Sequence, residues 1–102
     1  MIKVYGSHMC GDSEELQKYF NEYEIRYQFL DITDNLRNLG RFLRYRDTLE
    51  IFDNCRKTGD IGVPFLIDDE GEKTLDWKGW LIRHGYMCEC EEQCCCMLNE
   101  EE

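Results

Sequence analysis

Residues 1–13 read MIKVYGSHMCGDS, and they decide how the rest of the chain is interpreted. The run 1–6 is short, rich in apolar residues and ends in glycine, which predicts a strand. Residues 12–23 carry apolar side chains at helical spacing, which predicts a helix. Cys10 therefore lies where a strand turns into a helix. The free backbone N–H groups and the positive dipole end of a helix N-terminus favour the thiolate, which is the nucleophilic form of cysteine.

The remaining elements follow the same α/β alternation. They are a strand at 25–32, one bent helix or two short helices over 36–52 capped by Thr33 or Asp34, a strand at 62–67, a hairpin turn at 68–71, a strand at 73–77 and a helix from Trp80. This order predicts an α/β domain with a mixed four-stranded sheet and helices on both faces. A right-handed crossover would make the first two strands parallel.

Length and hydropathy indicate one small domain that does not enter a membrane. The chain has 102 residues, and no apolar run approaches the roughly 20 residues of a membrane span. We expect a domain at 1–86, an acidic cysteine-rich tail at 87–102 and a cytoplasmic location. Five of the seven cysteines crowd into that tail, whereas a secreted disulfide framework would spread them through the fold.

Charge argues against a nucleic-acid partner. The formal net charge is −10, and the tail contributes six glutamates with no lysine or arginine. Residues 1–86 hold sixteen acidic and twelve basic groups, a net of −4. Without a strongly basic face the domain would repel phosphate backbones, so we expect no nucleic acid among its partners.

Two segments resemble the glutaredoxin family. Cys10-Gly11-Asp12-Ser13 is similar to the Cys-Gly-Phe-Ser of monothiol glutaredoxins, and residues 58–64, TGDIGVP, resemble the Thr-Gly-x-x-Thr-Val-Pro of the family at the same internal spacing. The resemblance covers about residues 1–84. It implies a thioredoxin-like, glutaredoxin-type fold with a short Cys/Glu-rich C-terminal tail.

The resemblance also implies an activity and its residues. Cys10 would attack a protein or small-molecule disulfide as a nucleophilic thiolate, beside a cis Pro64. Val63 and Pro64 would position the substrate, and Ser13 would hydrogen-bond the thiolate. Because Ser13 cannot resolve a mixed disulfide, the second thiol must come from glutathione, from a partner or from the tail.

The sequence departs from the family pattern at positions that bind glutathione, the family's usual cofactor. Ser7 stands where dithiol glutaredoxins usually carry a lysine, and Ile61 stands where many members carry a basic residue. Arg37, Arg41 and Arg44 share one helical face that would supply the missing charge, or they form an ordinary solvated face. Since glutathione is an anion, losing these cations weakens the expectation that it binds.

The tail suggests a second kind of chemistry. Its thiols are Cys88, Cys90, Cys94, Cys95 and Cys96, soft ligands that suit zinc, copper(I) or an iron–sulfur cluster. The alternatives to an oxidoreductase are therefore a metal or iron–sulfur carrier that uses Cys10, the tail or both, and a non-catalytic interaction domain in which Cys10 is inert. A tail without a defined ligand also fits. Of the other candidates, Cys55 is interpreted as a core residue and His8 as an ordinary loop residue.

Overall fold

The computed structural model describes residues 1–87. The elements, in chain order, are β1 (Ile2–Gly6), α1 (Gly11–Glu22), β2 (Tyr27–Asp31), α2 (Leu36–Thr48), a 3₁₀ turn (Glu50–Phe52), α3 (Asp53–Thr58), β3 (Phe65–Ile67), β4 (Lys73–Thr74) and α4 (Trp77–Arg83). None of the helices within residues 1–87 has the length and apolar character needed to cross a membrane.

The four strands form one mixed sheet in the order β2-β1-β3-β4. β1 pairs with β2 in parallel and with β3 in antiparallel orientation, and β4 is antiparallel to β3. This confirms the predicted α/β class and the predicted mixed sheet. It also brings the carboxyl ends of β1 and β2 to the same edge, where Gly6 lies opposite Asp31.

The sheet carries one apolar core on each face because neighbouring residues of a strand point in opposite directions. Val4 of β1 belongs to a core with buried residues of α1 and α4, whereas Tyr5 belongs to a second core with Phe42 of α2 and Phe52. Helices therefore cover both faces, as predicted. The first core contains buried Trp77 and Trp80 and the second is mostly aromatic.

Several boundaries differ from the sequence prediction. β2 and β4, predicted at 25–32 and 73–77, are shorter and span Tyr27–Asp31 and Lys73–Thr74. α2 is capped by Asn35, whose side chain accepts hydrogen bonds from the backbone N–H groups of Arg37 and Asn38 at 2.9 and 3.1 Å, and not by Thr33 or Asp34. β3 begins only after Pro64, since proline has no N–H to donate to a ladder. α4 begins at Trp77, three residues earlier than predicted, because the Asp76 carboxylate caps it by accepting from the Gly79 N–H at 3.1 Å.

Gly6 at the end of β1 packs closely against side chains of α1 and β2. A Cβ atom at this position would lie 2.7 Å from Ser13 Oγ and 2.8 Å from Phe29 Cε1. We expect Gly6→Ala to lower the free energy of unfolding by about 1–3 kcal/mol, as overpacking in a dense interior does. Urea unfolding would measure the loss.

The matched control for this prediction is Gly40→Ala. Gly40 lies within α2, and a Cβ there would have no atom within 4 Å. Alanine favours a helix over glycine by roughly 1 kcal/mol, so this variant should be at least as stable as the wild type. Equal effects of the two substitutions would contradict the tight contact at Gly6.

Candidate functional site

Cys10 is the N-cap residue of α1. Its backbone is extended, its N–H donates to the Ser7 carbonyl at 3.1 Å, and its own carbonyl accepts from the Glu14 N–H at 3.1 Å. The half-buried side chain makes no capping hydrogen bond. Backbone N–H groups in the first turn of a helix have no partner within that helix, so they can stabilise negative charge on the sulfur.

A cleft of about 740 Å³ lies against Cys10. Its walls include Thr33 after β2, Val63 and Pro64 before β3, and Trp77 at the start of α4. The Val63–Pro64 peptide bond is cis, as the resemblance implies. The fold thus places three of the predicted site residues, Cys10, Val63 and Pro64, around one cavity although about fifty positions separate them in sequence.

Ser13, the fourth predicted residue, is placed differently. Its side chain is 0% exposed and it is not among the residues that line the cleft. Ser13 Oγ instead accepts a hydrogen bond from the Ser7 N–H at 3.2 Å. It anchors the loop that precedes Cys10 to α1 and thereby positions Cys10.

Asp31 joins the two loops at the carboxyl edge of the parallel pair. One of its oxygens accepts from Thr33 N–H at 2.8 Å, Thr33 Oγ1 at 2.6 Å and Asp34 N–H at 3.2 Å. The other accepts from His8 N–H at 3.1 Å and lies 2.9 Å from His8 Nδ1. Ser7 Oγ and Thr33 Oγ1 add a further contact of 3.0 Å between the loops.

This network shifts the titration of both charged partners. Partial burial alone would raise the pKa of Asp31, but the hydrogen bonds from Thr33 and His8 outweigh it and hold that pKa well below its ordinary range. The hydrogen bond to Asp31, followed by the negative charge of Asp34, raises the pKa of His8. His8 therefore keeps its proton to higher pH than an ordinary histidine.

His8 was expected to be an ordinary loop residue, and Asp31 and its hydrogen-bond network were not predicted from the sequence. One signal was available, because β1 and β2 were predicted to be parallel. Residues that follow parallel strands meet at one edge of the sheet. His8 follows β1, and Asp31 ends β2.

The charge of the cleft is unfavourable for an anionic ligand. Asp12 and Asp60 line it, and no lysine or arginine within residues 1–87 does. Arg46 lies nearby, but its guanidinium donates to the carbonyl oxygens of Asp60 and Ile61 at 2.6 and 2.8 Å and so holds the loop before Pro64. The missing cations that weakened the glutathione expectation are thus not replaced inside the cleft.

Three further residues contribute a thiol and an apolar rim to the cleft. Cys55, interpreted from sequence as a core residue, does pack against the second core, yet it also lines the cleft as a free thiol. Met9 and Ile61 line the cleft and are exposed, so the opening has an apolar rim.

Two groups of side chains within residues 1–87 have ligand atoms close enough to hold a metal ion. Within each group these atoms lie within 4.8 Å of one another. The two groups are His8, Asp31 and Asp34, and Asp68, Glu72 and His84. In each group the more buried carboxylate already accepts protein hydrogen bonds, as Asp68 does from Trp80 Nε1 at 3.0 Å. We interpret both groups as structural. The predicted metal ligands Cys88, Cys90, Cys94, Cys95 and Cys96 lie outside the described residues.

Comparison with known proteins identifies a relative but no family. A protein of Haemophilus influenzae described as uncharacterized is 29% identical over 73 residues, covering 72% of this chain and 85% of that protein. No family model matches the chain. No solved structure matches it with significance.

Proposed function

We propose that this chain is a glutaredoxin-like protein of thioredoxin fold that carries out monothiol thiol–disulfide exchange through Cys10. The observation that supports this function best is the position of Cys10, half-buried at the uncapped N-terminus of α1 in the cleft that Val63 and Pro64 also line. The fold assignment draws on the parallel β1–α1–β2 unit followed by an antiparallel hairpin and α4. It also draws on the two motifs in the sequence.

The reaction takes three exchanges, and Cys10 takes part in the first two. The Cys10 thiolate attacks one sulfur of a substrate disulfide; a new S–S bond forms to Cys10, the substrate S–S bond breaks, and the other sulfur leaves as a thiolate that takes up a proton. An external monothiol, as its thiolate, then attacks the substrate sulfur of the mixed disulfide; Cys10 leaves as a thiolate, and the substrate sulfur is now bonded to the external thiol. A second external thiolate attacks the external sulfur of that bond, which frees the last substrate thiol and joins the two external thiols in a disulfide. Two external thiols are thus oxidised while the substrate disulfide is reduced, so electrons balance without a further cofactor.

The cleft favours a neutral or cationic substrate with apolar groups beside its disulfide. Its charged lining residues are Asp12 and Asp60, which repel carboxylates, while exposed Met9 and Ile61 offer apolar contacts at the opening. A protein disulfide in an extended apolar segment meets these conditions better than glutathione disulfide does. Glutathione would then serve only as a diffusing reductant.

Site-resolved alkylation of the full-length, reduced protein tests the reactivity of Cys10. We expect iodoacetamide to modify Cys10 at pH 7 about tenfold faster than it modifies a synthetic peptide of residues 7–16, because the peptide has the same sequence but no stable helix terminus. Mass spectrometry of the digested protein separates Cys10 from the other cysteines. A Cys10 rate equal to or below the peptide rate would favour the non-catalytic interaction domain instead.

A further inference from the structure

A second cleft, which we call the basic cleft, lies between α2 and the sheet. Its volume is about 570 Å³, and it is lined by Lys3, Tyr5, Arg41, Arg44, Tyr45, Thr48, Leu49 and Lys73. It shares no lining residue with the cleft at Cys10.

The sheet contributes two lysines in one row. Lys3 of β1 and Lys73 of β4 both pair with Ile67 of β3, so the three residues lie side by side across the sheet. Tyr5 is two positions beyond Lys3 along the strand and therefore faces the same side. This is the side of the second core, which α2 covers.

The helix contributes two arginines. Arg41 lies three and four residues before Arg44 and Tyr45, and Thr48 lies four and three residues after them, so all four lie on one face of α2. Arg37, which sequence analysis grouped with Arg41 and Arg44, does not line the basic cleft. Two guanidinium groups from the helix thus converge with two ammonium groups from the sheet.

These four cations have no counter-charge in the described part of the chain. No aspartate or glutamate of residues 1–87 lines the basic cleft, and none of the four takes part in an ion pair there. Like charges held together repel one another, and a bound anion would relieve that repulsion.

Tyr5 supplies an independent hydrogen-bond donor to the basic cleft. The residue is only 4% exposed, it lines the basic cleft, and its hydroxyl has no hydrogen-bond partner among residues 1–87. Burial and, to a smaller extent, Tyr45 raise the pKa of Tyr5, and they outweigh the charge of Arg41, which lowers it. The hydroxyl therefore keeps its proton and remains a donor. A buried donor without an acceptor is costly, and an oxygen atom of a ligand would satisfy it.

We propose that the basic cleft binds a small molecule that carries a phosphate or diphosphate group. The planar forks of Arg41 and Arg44 match the oxygens of a phosphate, while Lys3 and Lys73 add point charges and Tyr5 donates one hydrogen bond. The volume is of the size that small ligands occupy. This proposal does not depend on the function proposed for Cys10.

Calorimetric titration of the full-length protein with pyrophosphate at low ionic strength tests the site. We expect saturable binding with one equivalent, and at least tenfold weaker binding in the double variant Arg41→Gln/Arg44→Gln. The matched control is Arg26→Gln/Arg37→Gln, which removes the same charge from exposed positions outside the basic cleft and should change the affinity less than twofold. Thermal melts verify that each variant is folded.

Tyr5→Phe keeps the aromatic packing of the second core and removes only the hydroxyl. We expect it to weaken pyrophosphate binding about tenfold while the protein stays folded, so the test survives even if the double arginine variant does not fold. Absence of saturable pyrophosphate binding to the wild type would overturn the proposal. Equal losses of affinity in the two double variants would also overturn it, because they would mean that net charge alone attracts pyrophosphate.

Discussion

Replacing Cys10 by serine is expected to abolish the fast phase of thiol–disulfide exchange, with a rate loss of about a thousandfold or more, because the hydroxyl is not ionised near neutral pH. The measurement is a rapid-mixing experiment with excess 4,4′-dithiodipyridine, which is uncharged at pH 7 and releases a chromophoric product. The wild type should show a fast phase of one thiol equivalent. We expect the other six cysteines to react more slowly, because none of them is predicted to begin a helix.

Two further arms make the result specific. Cys55→Ser should keep the fast phase, because in a monothiol mechanism the resolving thiol is external even though Cys55 lines the same cleft. Cys10 in the protein should react faster than Cys10 in the peptide of residues 7–16. This rate ratio should be smaller with the dianionic reagent 5,5′-dithiobis(2-nitrobenzoate) than with the neutral reagent, since Asp12 and Asp60 repel the dianion. A fast phase that survives in Cys10→Ser would assign the reactive thiol to Cys55 or to the tail and refute our proposal.

Asp31→Ala should lower the free energy of unfolding by about 2–3 kcal/mol, which corresponds to roughly 10–20 °C in melting temperature for a domain of this size. The Asp31 side chain is 18% exposed and accepts hydrogen bonds from both loops at the sheet edge, so its removal leaves several donors unpaired. The matched control is Asp34→Ala. Asp34 also faces His8, at 3.6 Å, but its side chain is 69% exposed and we expect a loss below about 0.5 kcal/mol.

The stability difference between wild type and Asp31→Ala should depend on pH in both directions. Asp31 has a lowered pKa in the folded state, so its contribution is present above its ordinary pKa and is lost as the pH falls toward the folded value. His8 has a raised pKa, so its contribution is present below its ordinary pKa and is lost as the pH rises through the folded value. The difference should therefore be largest near about pH 5–6. Urea unfolding across pH measures the profile; a loss at low pH without the loss at high pH would show that His8 and Asp31 are not coupled.

Much of the fold and the central residue of the candidate site follow from local sequence. A strand ending at Gly6, a helix beginning after Cys10 and an apolar segment after Pro64 are each determined by spacing and by the backbone limits of glycine and proline. The α/β order then favours parallel β1 and β2. Element ends were less predictable, because a cap such as Asn35 depends on which nearby N–H groups other side chains already satisfy. Here the Asp31 carboxylate takes the N–H groups of Thr33 and Asp34.

Only the tertiary structure decided which distant side chains meet. His8 binds Asp31 across 23 positions because Gly6 and Asp31 are in register on parallel strands. The basic cleft likewise depends on strand register, which pairs both Lys3 and Lys73 with Ile67. It also depends on which face of α2 is turned toward these lysines. A shift of one residue in strand register would send these side chains to the opposite face of the sheet. Composition and spacing determine the elements, whereas charge clusters and hydrogen-bond networks require the register that packing of the two cores selects.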